Sequence, residues 1–180
     1  ITADVAFAVE QYFAVTHDQD FMDRYGYEML IDTARFWASR VTWDEAKQAY
    51  VILDVIGPDE YKEHVNNNAY TNEMARMTLR YAVEVCRAYL PDTKEQELAA
   101  FLDAAEHLKR QEPDPETGVM EQFDGYFKLE NVLVPQVRSR LLDPREYWGG
   151  AYGVAAQTQV IKQADVIALL YMLGQYPTSI

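Results

Sequence analysis

The chain has 180 residues, with 29 acidic side chains against 16 basic ones and a formal net charge of −13 at pH 7. A field of that sign repels nucleic-acid backbones and anionic membrane surfaces, which leaves basic partners and polar small molecules. With 49% apolar and 25% charged residues the composition is that of a packed domain, not of a disordered, collagen-like or disulfide-built chain, and about two thirds of the unfolded surface can be buried in one core at this length.

From Ile1 the sequence enters an amphipathic run, Ala3–Val15, with Val5, Val9 and Tyr12 at helical spacing. His17-Asp18-Gln19-Asp20 closes that helix and supplies a cap for the next, which runs to about Ser39 on a stripe of Phe21, Tyr25, Met29 and Phe36, with Trp37 alongside. These segments form a helical hairpin with a short connection. The period then changes: Val41-Thr42-Trp43 and Tyr50–Ile56 are β-branched and aromatic, and the polar Asp44–Gln48 between them reads as a hairpin loop. Gly57-Pro58-Asp59 breaks the second strand. Asn66-Asn67-Asn68 caps a long helix carrying Tyr70, Met74, Met77, Tyr81 and Val85 and ending before Pro91. Thr93 and Gln96 form a capping box for a fourth helix with Leu98, Leu102, Ala105 and Leu108 on its face. Residues 111–152 are an irregular, aromatic excursion, of the kind that carries function when it occurs inside a domain, with a short strand around Tyr126–Leu129. A helix over Val154–Leu173, apolar on nearly every side and therefore buried, stops at Gly174 and Pro177. The expected fold is mainly α: helical hairpins side by side, decorated by a small β-hairpin and long loops. No repeat of fixed period links the hairpins, which favours an αα-barrel or toroid over a solenoid. The abrupt start at Ile1, and the lack of anything after Ile180 to finish a domain, read as one piece, residues 1–180, of a larger unit.

Glycine-rich phosphate loops, HExxH, CxxC and GxSxG are missing, and His17, His64 and His107 have no metal-ligand spacing, so zinc and serine-type nucleophilic chemistry are not expected. The lone Cys86 closes no internal bridge and fits a reducing compartment. The longest apolar stretch, 166–173, is far short of the ~20 residues of a membrane span, and no export signal is visible. A cytoplasmic protein is expected. Two places stand out. In Gly57-Pro58-Asp59-Glu60-Tyr61 the proline stiffens the backbone ahead of two carboxyls. Glu60, beside Tyr61 and the apolar strand, reads either as an acid whose pKa is raised by partial desolvation or as a solvated side chain in an ordinary turn. Lys162 and Gln163 interrupt an apolar helix. Lys162 either pairs with Asp165 three residues on or points with Gln163 into a polar site, because a lone buried charge is costly. Cys86, Met74 and Met77 read as core.

Arg35-Phe36-Trp37-Ala38-Ser39-Arg40, then Gly57-Pro58-Asp59-Glu60-Tyr61 with Val65-Asn66-Asn67-Asn68-Ala69-Tyr70-Thr71-Asn72, and finally Val160-Ile161-Lys162-Gln163-Ala164-Asp165-Val166 occur in this order. In these motifs, and over essentially its whole length, the chain resembles glycoside hydrolase family 65, which contains inverting phosphorylases of maltose, trehalose, kojibiose and nigerose and some acid trehalases. The resemblance implies part of an (α/α)6 barrel, with Glu60 as general acid and Lys162 and Gln163 contacting the sugar. It implies an α-glucosyl disaccharide and inorganic phosphate as substrates, no metal or other cofactor, and a homodimer. The family's Trp-Asp sugar contact and its phosphate-binding serine and histidine segment lie outside these 180 residues, so the piece by itself is expected to be inactive. The two alternatives are a trehalase-like hydrolase and a non-catalytic helical interaction module, in which Glu60, Lys162 and Gln163 need not converge.

Overall fold

The computed structural model describes residues 1–174, which form two compact units: residues 1–51 with 71–109, and residues 52–70 with 110–174.

In the first unit α1 (Thr2–Thr16) ends where His17 takes a left-handed conformation, φ 53°, and donates its N–H to Phe13 O. Asp18 then caps the short α2 (Gln19–Phe21), its Oδ1 accepting the Phe21 N–H at 3.0 Å. A π-turn, Met22–Gly26, carries the chain without a break into α3 (Tyr27–Arg40). Ala6 and Val9 of α1 pack with Met22, Tyr27, Leu30 and Val85. The burial differs from the expected stripes. Val5, Tyr12, Tyr25, Met29 and Phe36 are exposed, while Ala3, Ala6 and Ala34 are buried. Helices approach closely at small side chains, which a stripe drawn through the large ones passes over.

The β-hairpin is shorter than expected. β1 (Thr42–Asp44) pairs antiparallel with β2 (Ala49–Val51), Trp43 opposite Tyr50. The long helix α4 (Ala69–Tyr89) lies in this unit from Thr71 onward and buries Met74, Ala75, Leu79, Ala82 and Cys86. After a turn comes α5 (Glu95–His107), with Leu98, Phe101, Ala104 and Ala105 buried. Lys94, not Thr93, occupies its N-cap position, and no side chain caps it. The expected capping box fails because the helix starts one residue too late for Thr93 to reach it.

The second unit is held by isolated bridges rather than sheets, among them Val55 with Val65 and Glu130 with Thr158. Tyr126–Lys128 is a 3-10 turn where a strand was expected, and α6 (Val134–Arg138) follows. The final helix, α7, covers only Asp165–Leu173 and closes on Gly174 in a left-handed conformation. Residues 154–164 are irregular, because their backbone N–H groups find partners elsewhere: Ala155 N–H donates to Trp148 O, Gln159 N–H to Glu130 O, Val160 N–H to Thr158 Oγ1 and Lys162 N–H to Asp59 Oδ1. Nor is α7 buried all round, since Ile167 and Tyr171 are exposed while Asp165 and Leu169 are buried. Pro177 lies outside the described residues. The interior of this unit mixes Ile52, Val65, Phe123, Val137 and Leu169 with buried Asp59, Lys62, Asn68, Gln122 and Asp165. Buried polar groups at that density are tolerated only when hydrogen-bonded to one another.

Candidate active site

Leaving β2, the chain closes a loop over residues 55–65: Val55 and Val65 exchange both backbone hydrogen bonds, each 3.0 Å. Glu60 sits at the middle of that loop, in a β-turn where the Lys62 N–H donates to Asp59 O at 3.1 Å. Asp59 Oδ1 accepts the Tyr61 N–H at 3.1 Å, an Asx turn that locks the same corner. The turn sorts its side chains. Asp59 and Lys62 go inward, 0% and 3% exposed, and Glu60 outward.

The segment ahead of α7 comes up against this corner. Lys162 Nζ lies 2.6 Å from Glu60 Oε2, and Gln163 Nε2 donates to Glu60 Oε1 at 3.0 Å. Gln163 Oε1 in turn accepts the Glu60 N–H at 3.1 Å, so one carboxamide grips both the main chain and the carboxylate of Glu60. Tyr147 Oη donates to Glu60 O at 2.9 Å, and the Tyr147 ring lies 5.5 Å from Lys162 Nζ, within cation–π range. Trp148 stacks on Tyr61, centroids 6.2 Å apart. Gly149 is required at this approach, because a Cβ there would come within 2.7 Å of Glu60 O and 2.8 Å of Tyr61 Cα.

Beneath these residues lies a buried layer. Asp59 Oδ1 also accepts the Lys162 N–H at 3.0 Å, and Asp59 Oδ2 accepts from Gln122 Nε2 at 3.1 Å. Gln122 Nε2 reaches Asp165 Oδ2 at 3.2 Å, and Asn68 Nδ2 donates to the same oxygen at 2.8 Å. Gly57 packs on this pair, where a Cβ would be 2.5 Å from both Asn68 Nδ2 and Asp165 Oδ2. Lys62 Nζ donates to the carbonyls of Ala155 and Thr158.

The three residues singled out from the sequence therefore meet, but two details are corrected. Lys162 and Gln163 lie on a loop, not in a helix, and Lys162 pairs with Glu60 and not with Asp165, whose carboxyl is turned inward. Of the two readings, the solvated one describes the exposure of Glu60. The Lys162 ammonium beside it, helped by Gln163 and Tyr147, holds its carboxyl below the usual carboxylate range, and Glu60 in turn raises Lys162. Burial dominates underneath: it pushes Asp165 up to about 6 and Lys62 down to about 8. Chemically, the corner offers an outward carboxylate of fixed direction, flanked by one ammonium, one carboxamide and aromatic rings. Sequence reasoning missed Asp59, Gln122, Asn68 and Tyr147. The glycines at the close approaches, Gly57 against Asn68 and Gly149 against Tyr147, are the signal that could have marked the spot. Among the described residues no group of three or more His, Cys, Asp or Glu side chains is arranged to hold a metal ion, and no helix is long and apolar enough to cross a membrane.

Residues 1–179 match the family model described as "Glycosyl hydrolase family 65 central catalytic domain". The chain is 41% identical to a nigerose phosphorylase of Lachnoclostridium phytofermentans, over 97% of this chain and 25% of that protein. It is 37% identical to a kojibiose phosphorylase of Halothermothrix orenii, over 97% of this chain and 24% of that one. A solved structure provisionally described as a kojibiose phosphorylase, from the human microbiome, superposes with a TM-score of 0.80 at 29% identity, over 95% of this chain and 25% of its own. The chain thus spans about a quarter of the length of the relatives it matches.

Proposed function

The chain belongs to glycosyl hydrolase family 65, and from that premise we propose that it forms part of an (α/α)6-barrel catalytic domain cleaving an α-glucosyl disaccharide by inverting phosphorolysis, with Glu60 as general acid. The observation that carries this reading is the convergence of Glu60 with Lys162 and Gln163, 2.6 and 3.0 Å from its two oxygens although 102 and 103 residues distant in sequence. An interaction module has no need of such a meeting. In the forward reaction the protonated Glu60 gives its proton to the bridging oxygen as the bond from that oxygen to the anomeric carbon breaks. Inorganic phosphate forms the new bond from the opposite face and the configuration inverts. Phosphate is already an anion, so no second carboxylate is needed to activate it, and no metal or other cofactor enters.

Lys162 and Gln163 are proposed to donate to sugar hydroxyls. A sugar that draws Lys162 Nζ away removes the ammonium that holds Glu60 ionised, and the carboxyl can then carry the proton it must deliver. The proposal extends to a cytoplasmic, homodimeric protein. Glu60→Gln in the full-length protein should lower disaccharide turnover by at least ~10²-fold, the low end of general acid contributions, and near-normal turnover would refute the assignment. Glucose 1-phosphate formed only when phosphate is supplied supports phosphorolysis. Two free hexoses formed without phosphate would instead make the protein a hydrolase.

A further inference from the structure

The acid-bearing corner and the Lys162–Gln163 segment are joined by the visible bonds to Glu60, and also from below by one buried carboxylate. Asp59 is 0% exposed. Its Oδ1 takes the backbone N–H of Lys162 at 3.0 Å and that of Tyr61 at 3.1 Å, one donor from each side of the site, and its Oδ2 takes Gln122 Nε2 at 3.1 Å. Three donors converge on a single carboxylate that touches neither solvent nor the open side where Glu60 stands. Lys62, three residues on and equally inward, repeats the join with opposite chemistry by giving its ammonium protons to Ala155 O and Thr158 O. The β-turn places these two buried charges on either side of the outward Glu60, so that turn can neither swing nor slide along the 155–163 segment without breaking a charge-assisted bond in a water-poor interior.

We propose that Asp59 is the positioning residue that fixes the direction of the Glu60 carboxyl relative to Lys162 and Gln163. This inference rests on the reading of Glu60 as the acid. An acid misplaced by about 1 Å can cost up to ~10²-fold in rate, and that loss falls on steps that need the proton. A leaving group that departs as a stable anion escapes it.

The test uses the full-length protein with inorganic phosphate and two substrates: an α-glucosyl disaccharide, and an activated aryl α-glucoside whose phenolate leaves unprotonated. In Asp59→Ala, kcat on the disaccharide should fall at least ~10-fold further than kcat on the aryl glucoside. Asp59→Asn keeps the oxygen that accepts from Lys162 and Tyr61 but turns an NH2 toward Gln122, and its ratio should lie between those of wild type and Asp59→Ala. A role in stability alone would lower the melting temperature and reduce both rates together, leaving the ratio of wild type, and that outcome overturns the proposal. If Asp59→Ala does not fold, Asp59→Asn decides by the same ratio. A wild-type protein inactive on both substrates would overturn the functional reading and this inference with it, whereas an active protein whose variants keep its ratio overturns the inference alone.

Discussion

Substituting Asp165 by Asn removes a buried carboxyl whose proton affinity folding changes by about two pH units, from 3.8 to about 6. Burial is the largest cause and the charge of Asp59 adds to it, against the opposing hydrogen bonds from Asn68 and Gln122. Because the pKa is raised, the native protein holds this proton more tightly than the unfolded chain between about pH 4 and 6. Its stability therefore falls as pH rises through that window, and the penalty is complete above it. At about 1.4 kcal/mol per unit the total is about 3 kcal/mol. The Asn variant has no such titration. Its amide oxygen can accept from Asn68 and Gln122 as Oδ2 does, while its NH2 falls where the buried Oδ1 has no partner among the described residues, a pH-independent offset of about 1–3 kcal/mol. Urea-unfolding free energies of both proteins, measured in steps from pH 4 to 7, separate the two effects. The stability of wild type relative to the variant should drop by about 2 kcal/mol across the series, the rest of the penalty having set in below pH 4, and curves that stay parallel would refute the burial argument.

Gly57→Ala should destabilise the protein by about 1–3 kcal/mol through overpacking against Asn68 and Asp165, and an unchanged melting temperature would show that the pair can yield. Gln163→Leu should leave the protein folded while disaccharide affinity weakens by about 1–3 kcal/mol, measured by calorimetry alongside the melting temperature; unchanged affinity would remove Gln163 from the sugar contacts. Lys162→Met should release Glu60 upward toward the ordinary carboxylate range, moving its limb of the kcat/KM profile to higher pH, and a limb that stays in place would mean that Lys162 does not set its charge. Full turnover is expected after exhaustive chelation, and a loss restored by one specific cation would contradict a metal-free mechanism.

The helices were legible wherever apolar spacing and caps agreed, as at Asp18 and at Gly174, both of which end or begin helices as their residue types require. The final helix is shorter than its composition suggests: Val154–Ala164 is apolar enough for a helix, but its N–H groups are taken by Trp148 O, Glu130 O and the Asp59 carboxylate, partners outside the segment that no local pattern shows. Glu60, Lys162 and Gln163 could be found because they interrupt a pattern or follow a rigid dipeptide. Asp59, Gln122 and Asn68 do not stand out from the polar residues beside them, and the role of each exists only in the partner it meets far along the chain, which the glycines at the close approaches mark only indirectly. The sequence leaves the pKa direction of Glu60 open for the same reason: neighbours in sequence allow either burial or solvation, and the charge that decides it comes from Lys162, a neighbour only in space.

The second unit is discontinuous, its two stretches of chain separated by residues 71–109, and this has a consequence for the order of assembly. A ribosome that has released Glu60 must add about a hundred more residues before Gln163, 103 positions on, can meet it. Closing a loop of that length costs about 4 kcal/mol of chain entropy before any contact repays it. The hairpin of α1 and α3 closes over far shorter distances and can form early, whereas the corner around Glu60 belongs to the slow, non-local part of folding. Until then Asp59 and Lys62, both buried in the finished structure, lack the partners that offset the cost of leaving water. Burying either charge is repaid only when its partners at 155–163 have been made.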